Sequence, residues 1–436
     1  MGESLALDLI VSLGLVLLLL ACGMRIYAVL GLAGAVSGYL LVGPQSLNMI
    51  KFIPFTASNS WTLTAIPLFV LVGYLCLETG LSEGLYSGAA TLLGKIPGGL
   101  LHANIGACAI FATITGSPSA TAATISAVAL PEMEKRGYDE QMTLGSLAAG
   151  GVIGPIIPPS INFIVFGSMT GLSIGKLFFG GMIPGIILTL MFMAYILYWA
   201  IRNPAGYPKG ETPTLKNIRI ALKNLFPIFL VALIVLGGIY FGIFTPTEAG
   251  AVGCASAIII GGIKSRKLER KRLLQALLNT IQITSFILLI MGTSAILQNT
   301  LAALRLPATL AEWTTTHSVS PAVFWIVVFI FFLILGCIME ALPIQIMCTP
   351  ILYPVALALG YDPIHTGVII VLFTLLGVIT PPVGVCLFVV QQVRNKGSIA
   401  VIYRGVIPFC LVMIVLCWIV VVFPSLSTWL PSFMTQ

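Results

Sequence analysis

Charge is scarce in this sequence. Only 8% of its 436 residues are charged, against roughly 25% in soluble domains. With so little polar surface the chain cannot dissolve in water, and lipid is its solvent. Alternation of polar and apolar residues is also missing, which excludes a transmembrane β-barrel. Histidine is rarer still: His102, His317 and His365 are isolated, so no metal site is expected. The nine cysteines form no CxxC or Cys/His cluster, which removes any disulfide framework; scattered through apolar segments, they read as small buried hydrophobes. HExxH and GxSxG are absent. The nearest approach to a phosphate loop, Gly88–Lys95, has one spacer too many and Ile96 where Ser or Thr belongs. No catalytic residues, no enzyme activity and no organic cofactor are expected. Uphill work would have to draw on an ion gradient or a separate energising subunit.

What is present is apolar length punctuated by breakers. Hydrophobic residues make up 58% of the chain, mean hydropathy is +1.08, and there are 44 glycines and 26 prolines. At about 20 apolar residues per span, candidates lie near 5–22, 26–43, 62–79, 98–133, 140–170, 183–201, 225–244, 247–263, 273–298, 321–357, 364–393 and 405–423. The first follows Glu3 and Asp8 rather than a basic segment, so it reads as a retained span and not a signal peptide. Segments 98–133 and 321–357 are too long for one crossing. Gly116-Ser117-Pro118 interrupts the first, and Gly336 with Leu342-Pro343 the second, so each reads as a hairpin that enters and leaves on one side. Segment 140–170 would be roughly 45 Å long as one helix, and Pro158-Pro159 removes two donors from its middle.

The two halves repeat. Pro131 and Pro354, Gly137-Tyr138-Asp139 and Gly360-Tyr361-Asp362, Gly154 and Gly377, and Pro158-Pro159 and Pro381-Pro382 all stand 223 residues apart; Pro184 and Pro408 follow with a one-residue shift. An odd number of crossings separates the copies, so they face opposite sides, the inverted repeat found in transporters. Charge tests this independently. With 202–224 and the basic run from Lys264 to Arg272 in the cytoplasm, 18 of the 21 Lys and Arg fall inside, including Lys209, Arg266 and Lys267; only Lys51, Lys176 and Arg305 fall outside. The positive-inside rule then puts the N-terminus in the periplasm. It also absorbs the basic run, so no nucleic acid partner is expected. Amphipathic stretches near 212–224 and 300–316 read as interfacial braces. The expected organisation is N-terminal scaffold helices (1–61), repeat 1 (62–201), linking scaffold helices (202–272), repeat 2 (273–424) and a tail (425–436).

A broken helix frees carbonyls, which suit a hard cation such as Na⁺, and N-terminal ends, which suit an anion. The ion-binding candidates are therefore Gly116, Ser117, Ser119 and Thr121 at the first tip, with Gly154 and Pro158 at the first break. Gly336 and Glu340 at the second tip, with Gly377, Thr380, Pro381, Val383 and Gly384 at the second break, complete the set. Candidate substrate contacts are Ser117, Pro159, Ser160, Asn162, Glu340 and Pro382. Glu340 stands where the first copy has Ser117; an ionisable residue at membrane depth is a functional candidate, although it also occupies a position that would cap a helix. Asn162 either offers an oxygen beside the break or pairs with a neighbouring helix. Glu78 reads as an anchor at its span's cytoplasmic end. Thr245-Pro246-Thr247-Glu248 reads as a capping box.

At Gly116–Thr121, Arg136-Gly137-Tyr138, Gly154–Ser160, Thr245–Ala249, Gly360–Pro363 and Thr380–Gly384 the sequence resembles the large membrane (M) subunit of tripartite ATP-independent periplasmic (TRAP) transporters. The resemblance implies an all-α polytopic protein of the bacterial inner membrane, with an inverted-topology repeat, two re-entrant hairpins and two discontinuous helices. It implies an elevator: a mobile transport domain on a scaffold, importing a small organic acid with Na⁺ as coupling ion. A small four-helix (Q-type) membrane subunit and a periplasmic (P-type) substrate-binding protein are the implied partners. The small subunit's four spans are not in the sequence, so a separate chain is expected. The alternative is a self-sufficient Na⁺- or H⁺-coupled carboxylate transporter of related fold, working through Glu340. A membrane-embedded enzyme using Glu340 and Ser117 has no His-Ser-Asp arrangement behind it.

Overall fold

The computed structural model describes residues 2–81, 83–208, 214–265 and 269–434. Lys209, Arg266 and Lys267, counted above as cytoplasmic, and the first two residues of the 212–224 stretch lie outside them. Among the described residues all regular structure is helical. The chain opens with α1 (Gly2–Ala21), α2 (Ile26–Ser37), the short α3 (Ser46–Met49) and α4 (Ile53–Ser58), then α5 (Ala65–Glu78) and α6 (Glu83–Leu93). Repeat 1 continues as α7 (Leu100–Thr115), α8 (Pro118–Lys135), α9 (Glu140–Gly151), α10 (Ile161–Thr170) and α11 (Ile174–Arg202). After α12 (Leu215–Tyr240), α13 (Pro246–Ser265), α14 (Arg270–Ala303) and α15 (Leu306–Thr316), repeat 2 follows. It comprises α16 (Pro321–Gly336), α17 (Ala341–Ala358), α18 (Pro363–Ile379), α19 (Val385–Arg394) and α20 (Ala400–Val422), before a last turn, α21 (Ser425–Thr428).

Seven described helices are long and apolar enough to cross a membrane. The helices on either side of the two double prolines, α10, α18 and α19, are among the shorter apolar ones. The duplication reaches individual hydrogen bonds. Helices α8 and α17 start and stop at positions 223 apart, and each ends on a left-handed glycine, Gly137 at φ 73° and Gly360 at φ 85°. Tyr138 and Tyr361 donate back to the carbonyls of Met133 and Ala356, the same closing bond in both copies. Asp139 then caps α9 by accepting from Met142 N, and Asp362 caps α18 by accepting from His365 N.

Each hairpin closes at its base through the same residue of the repeat. The Tyr138 hydroxyl accepts from Leu100 N at 3.0 Å, tying the start of α7 to the end of α8. In the second copy Tyr361 packs edge-on against Trp325, ring centroids 5.4 Å apart, tying the start of α16 to the end of α17. The broken helices run antiparallel. Gly367 near the start of α18 abuts Phe166 near the end of α10. At the opposite end Arg394, the last residue of α19, pairs with Glu140, the first of α9. The repeat is inverted.

The one-residue shift has a location. Helix α10 starts on Ser160 as N-cap, directly after Pro158-Pro159; α19 starts on Gly384, with Val383 inserted after Pro381-Pro382. Gly384 sits at φ 46°, where a side chain would be strained. Beyond it every equivalent is 224 apart, down to the left-handed C-caps Gly171 and Asn395.

Three expectations need correction. Gly88–Leu93 is not a loop but part of α6, a helix that was not foreseen; it lies against α12, with Gly88 beside Leu225. The 212–224 brace is not a separate element: α12 runs unbroken from Leu215 to Tyr240. In the 300–316 stretch, α14 extends to Ala303 before Arg305 turns left-handed and α15 begins. The cysteines are all free, as expected, and most are buried, but Cys22 is exposed and Cys337 only half-buried.

Candidate functional site

Both double prolines stop the helical ladder because neither ring carries an N–H to give the residue four back. At the first break the chain repairs one loss itself. Pro155 should receive the amide of residue 159, which is proline; instead the Ser160 hydroxyl donates to the Pro155 carbonyl at 2.5 Å and also accepts from Phe163 N. Ser160 is fully buried, and its hydroxyl stitches the break. No described residue donates to the carbonyls of Ile157, Pro158 and Pro159. The second break borrows donors from neighbours. Cys410 and Cys337 Sγ approach the carbonyls of Ile379 and Pro381 at 3.4 and 3.7 Å, and the Tyr403 hydroxyl donates to Pro382. The Thr380 hydroxyl returns a bond to Leu376, leaving its lone pairs available. In both breaks the peptide between the two prolines is cis.

The tips meet. Ser117 Oγ lies 3.2 Å from Ser119 Oγ, and Ser119 donates to Glu340 Oε1 at 3.0 Å. Glu340 does hold the N-cap position of α17, but its side chain makes no capping bond. Its carboxylate reaches across to the other repeat. Thus Ser117, Ser119 and Glu340 form one hydroxyl–carboxylate chain across the pseudo-twofold. Gly116, at φ 57°, lays the first tip on the first break, where an added Cβ would stand 3.1 Å from Ile161 N and 3.5 Å from the Pro159 carbonyl. Thr121 is fully buried one turn along α8.

A second cluster forms where hairpin 2 meets its own break. Gly336 and Gly377 approach backbone to backbone, so closely that a Cβ on either would overlap the other's Cα. This brings Gly336, Cys337, Gly377, Thr380 and Pro381 together. The structure therefore assembles the candidates in two groups. Val383 is the most exposed of them at 37%, Gly384 has only Leu387 and the Thr380 carbonyl beside it, and Gly154 is buried within the first break.

Asn162 answers to both of its readings. Its Nδ2 donates to Gln345 Oε1 at 2.8 Å, and Gln345 Nε2 donates to the Asn162 carbonyl at 2.7 Å. Its Oδ1, fully buried, has no partner. Gln345, on α17, was not singled out in the sequence; an amide lying two residues past Pro343 in an apolar helix was the available signal. Cys337, Cys410 and Tyr403 were missed likewise, because cysteine was read only as a hydrophobe. Glu248 behaves as expected, accepting from Thr245 N at 2.8 Å while the Thr245 hydroxyl accepts from Glu248 N. Glu78 contributes its carbonyl, which accepts from Arg272.

Beside the first tip lies a cavity of about 250 Å³ between hairpin 1 and the helices α5 and α14. Ser117, Thr124 and Tyr74 give it its hydroxyls. Among the described residues no three His, Cys, Asp or Glu side chains converge as a metal site.

Inverted hairpins, paired helix breaks and a cavity at their meeting point define a multi-pass membrane transporter. The fold recurs in the crystal structure of the Alcanivorax borkumensis YdaH transporter, with TM-score 0.64 over 94% of this chain and 98% of that one at 12% identity. The family model for the tripartite ATP-independent periplasmic transporter, DctM component, matches residues 13–426, and the chain belongs to that family. It is 35% identical to the C4-dicarboxylate TRAP transporter large permease protein DctM of Pseudomonas aeruginosa, over 93% of this chain and 94% of that protein. It is also 35% identical to the isethionate TRAP transporter permease protein DctMQ of Oleidesulfovibrio alaskensis, covering 95% of this chain but 65% of that longer protein. The bacterial inner membrane is the setting this family implies.

Proposed function

We propose that this chain is the large permease of a sodium-driven importer of a small organic acid. A periplasmic binding protein delivers the acid, and a small four-helix membrane subunit completes the assembly. The observation that carries the reading is the Ser117–Ser119–Glu340 chain. An anion at Ser117 faces the Glu340 carboxylate across two hydroxyls, and like charges repel strongly at low dielectric. A cation seated between tip and break removes that repulsion, so sodium and substrate bind better together than apart, which is what coupling requires. Carbonyls at Ile157–Pro159, and the Thr380 oxygen near Gly336, are the oxygens such an ion would take. The re-entrant hairpins and broken helices then travel as one body against a scaffold of α2, α5, α12, α13 and α14, with the N-terminus in the periplasm.

The test is uptake into proteoliposomes containing this chain and its candidate partners, with a panel of organic acids and an imposed sodium gradient. The reading expects uptake that vanishes when the gradient is dissipated. The competing reading, proton coupling through Glu340 without a binding protein, expects uptake by this chain alone under a pH gradient, abolished in Glu340→Gln.

A further inference from the structure

The cavity beside Ser117 narrows the class of acid, and this step rests on the transport reading above. Its polar groups lie at one end. Ser117 caps α8, whose N-terminal end carries partial positive charge, and the Thr124 and Tyr74 hydroxyls belong to the same wall set. The remaining wall is aliphatic or aromatic: Leu77, Phe111, Ile161 and Ile283 are typical of it. None of the residues lining it is charged. At ~30 Å³ per water in the liquid, it holds about eight waters, a space for a short acid.

We propose that the chain selects a short monocarboxylate with an uncharged tail and rejects dicarboxylates, because the cavity has one polar end and no counter-charge for a second anionic group. One carboxylate lies against the Ser117 end. A second, carried on the far end of the molecule, would be buried against hydrocarbon with neither cation nor donor, a burial that costs several kcal/mol even after relaxation. The cognate acid therefore differs from the C4-dicarboxylate named for the Pseudomonas relative, although the two chains are 35% identical.

Direct binding to the full-length protein in lipid nanodiscs, with sodium present and absent, separates the possibilities. The probes are butyrate and 2-hydroxybutyrate against succinate and malate, matched in carbon number. The expected result is sodium-dependent binding of the monocarboxylates about a hundredfold tighter than of succinate. Ala123→Lys, which adds a cation to the cavity wall, should raise the affinity for succinate relative to butyrate; Leu77→Lys serves the same purpose if the first variant does not fold. Sodium-dependent binding of succinate as tight as that of butyrate would overturn the proposal and leave sodium coupling standing. Equal binding of every acid with and without sodium would remove sodium coupling, and the proposal with it.

Discussion

At the scale of single residues, the site depends on groups that satisfy one another across the repeat boundary. Gln345 and Asn162 exchange two hydrogen bonds in a fully buried setting. Gln345→Leu strips a donor and an acceptor from Asn162 at once, and at about 1–3 kcal/mol per orphaned buried group it should lower thermal stability measurably. Scanning calorimetry or a fluorescence melt in lipid checks this, and an unchanged midpoint would show that the pair carries no load. Gly336→Ala is the sharper steric test. Its methyl would collide with the Gly377 backbone, so hairpin 2 must lift from its break. Overpacking of this kind costs about 1–3 kcal/mol, and transport should fall further than stability does. These residues differ in how legible they were. Gly377 and the double prolines announce themselves because glycine and proline have few other reasons to recur at a fixed offset in apolar helices. Glu340 was legible as the lone carboxylate at depth. Its partner Ser119 was one of three hydroxyls at its tip, and nothing local says which of them reaches across 221 residues.

At the scale of elements, the two broken helices are held head to tail by charge. The Arg394 guanidinium, its side chain only 4% exposed, donates from Nε and Nη2 to Glu140 Oε1 at 3.0 and 2.6 Å, and from Nη1 to the Ser398 carbonyl at 3.1 Å. Lys396 pairs with Glu134 beside it at 2.8 Å. Glu140→Gln would leave a buried guanidinium short of its counter-ion. Since Glu140 is itself half-exposed, the expected loss is about 1–3 kcal/mol, below the 3–5 kcal/mol of a fully buried pair. A double-mutant cycle with Arg394→Gln should show coupling, whereas strict additivity would mean the two ends are held by packing alone. The extra residue in the second break sets the register of this contact. Deleting Gly384 would turn α19 by about 100° and draw it in by about 1.5 Å. Arg394 would then leave Glu140, and uptake should fail. If it does not, α19 can be placed by its other contacts. The duplication itself was readable from spacing, but the ion pair was not: Glu140 and Arg394 lie 254 residues apart and belong to non-equivalent positions of the two copies. Helix α6 was hidden for another reason, being too short for a span and carrying glycine and serine among its apolar residues.

At the scale of the whole molecule, hairpin 1 faces α5 and α14 across the cavity at Ser117, while α14 also bonds hairpin 2 through Gln298 Nε2 and the Ile346 carbonyl at 3.3 Å. A body that slides past α5 and α14 must break contacts of this sort in every cycle. Cysteines placed at Gly73 and Thr124, which line opposite walls of the cavity, should cross-link with a short bifunctional reagent in a background cleared of native cysteines. Cross-linking is expected to stop uptake while leaving sodium binding intact; uptake that persists would argue for a fixed scaffold with small gates. Sidedness fits this picture. The loops that the charge count places together do lie together, 135–139 against 395–398 and Glu78 against Arg272.

The central claim is that the broken helices and hairpin tips seat the coupling ion, and the concentration of sodium giving half-maximal uptake tests it most directly. Ser117→Ala and Thr380→Ala each remove one candidate oxygen without opening a large cavity. The account predicts that this concentration rises severalfold in both variants while their melting temperatures stay near that of the parent. Sodium activation identical to the parent's in both variants would contradict it.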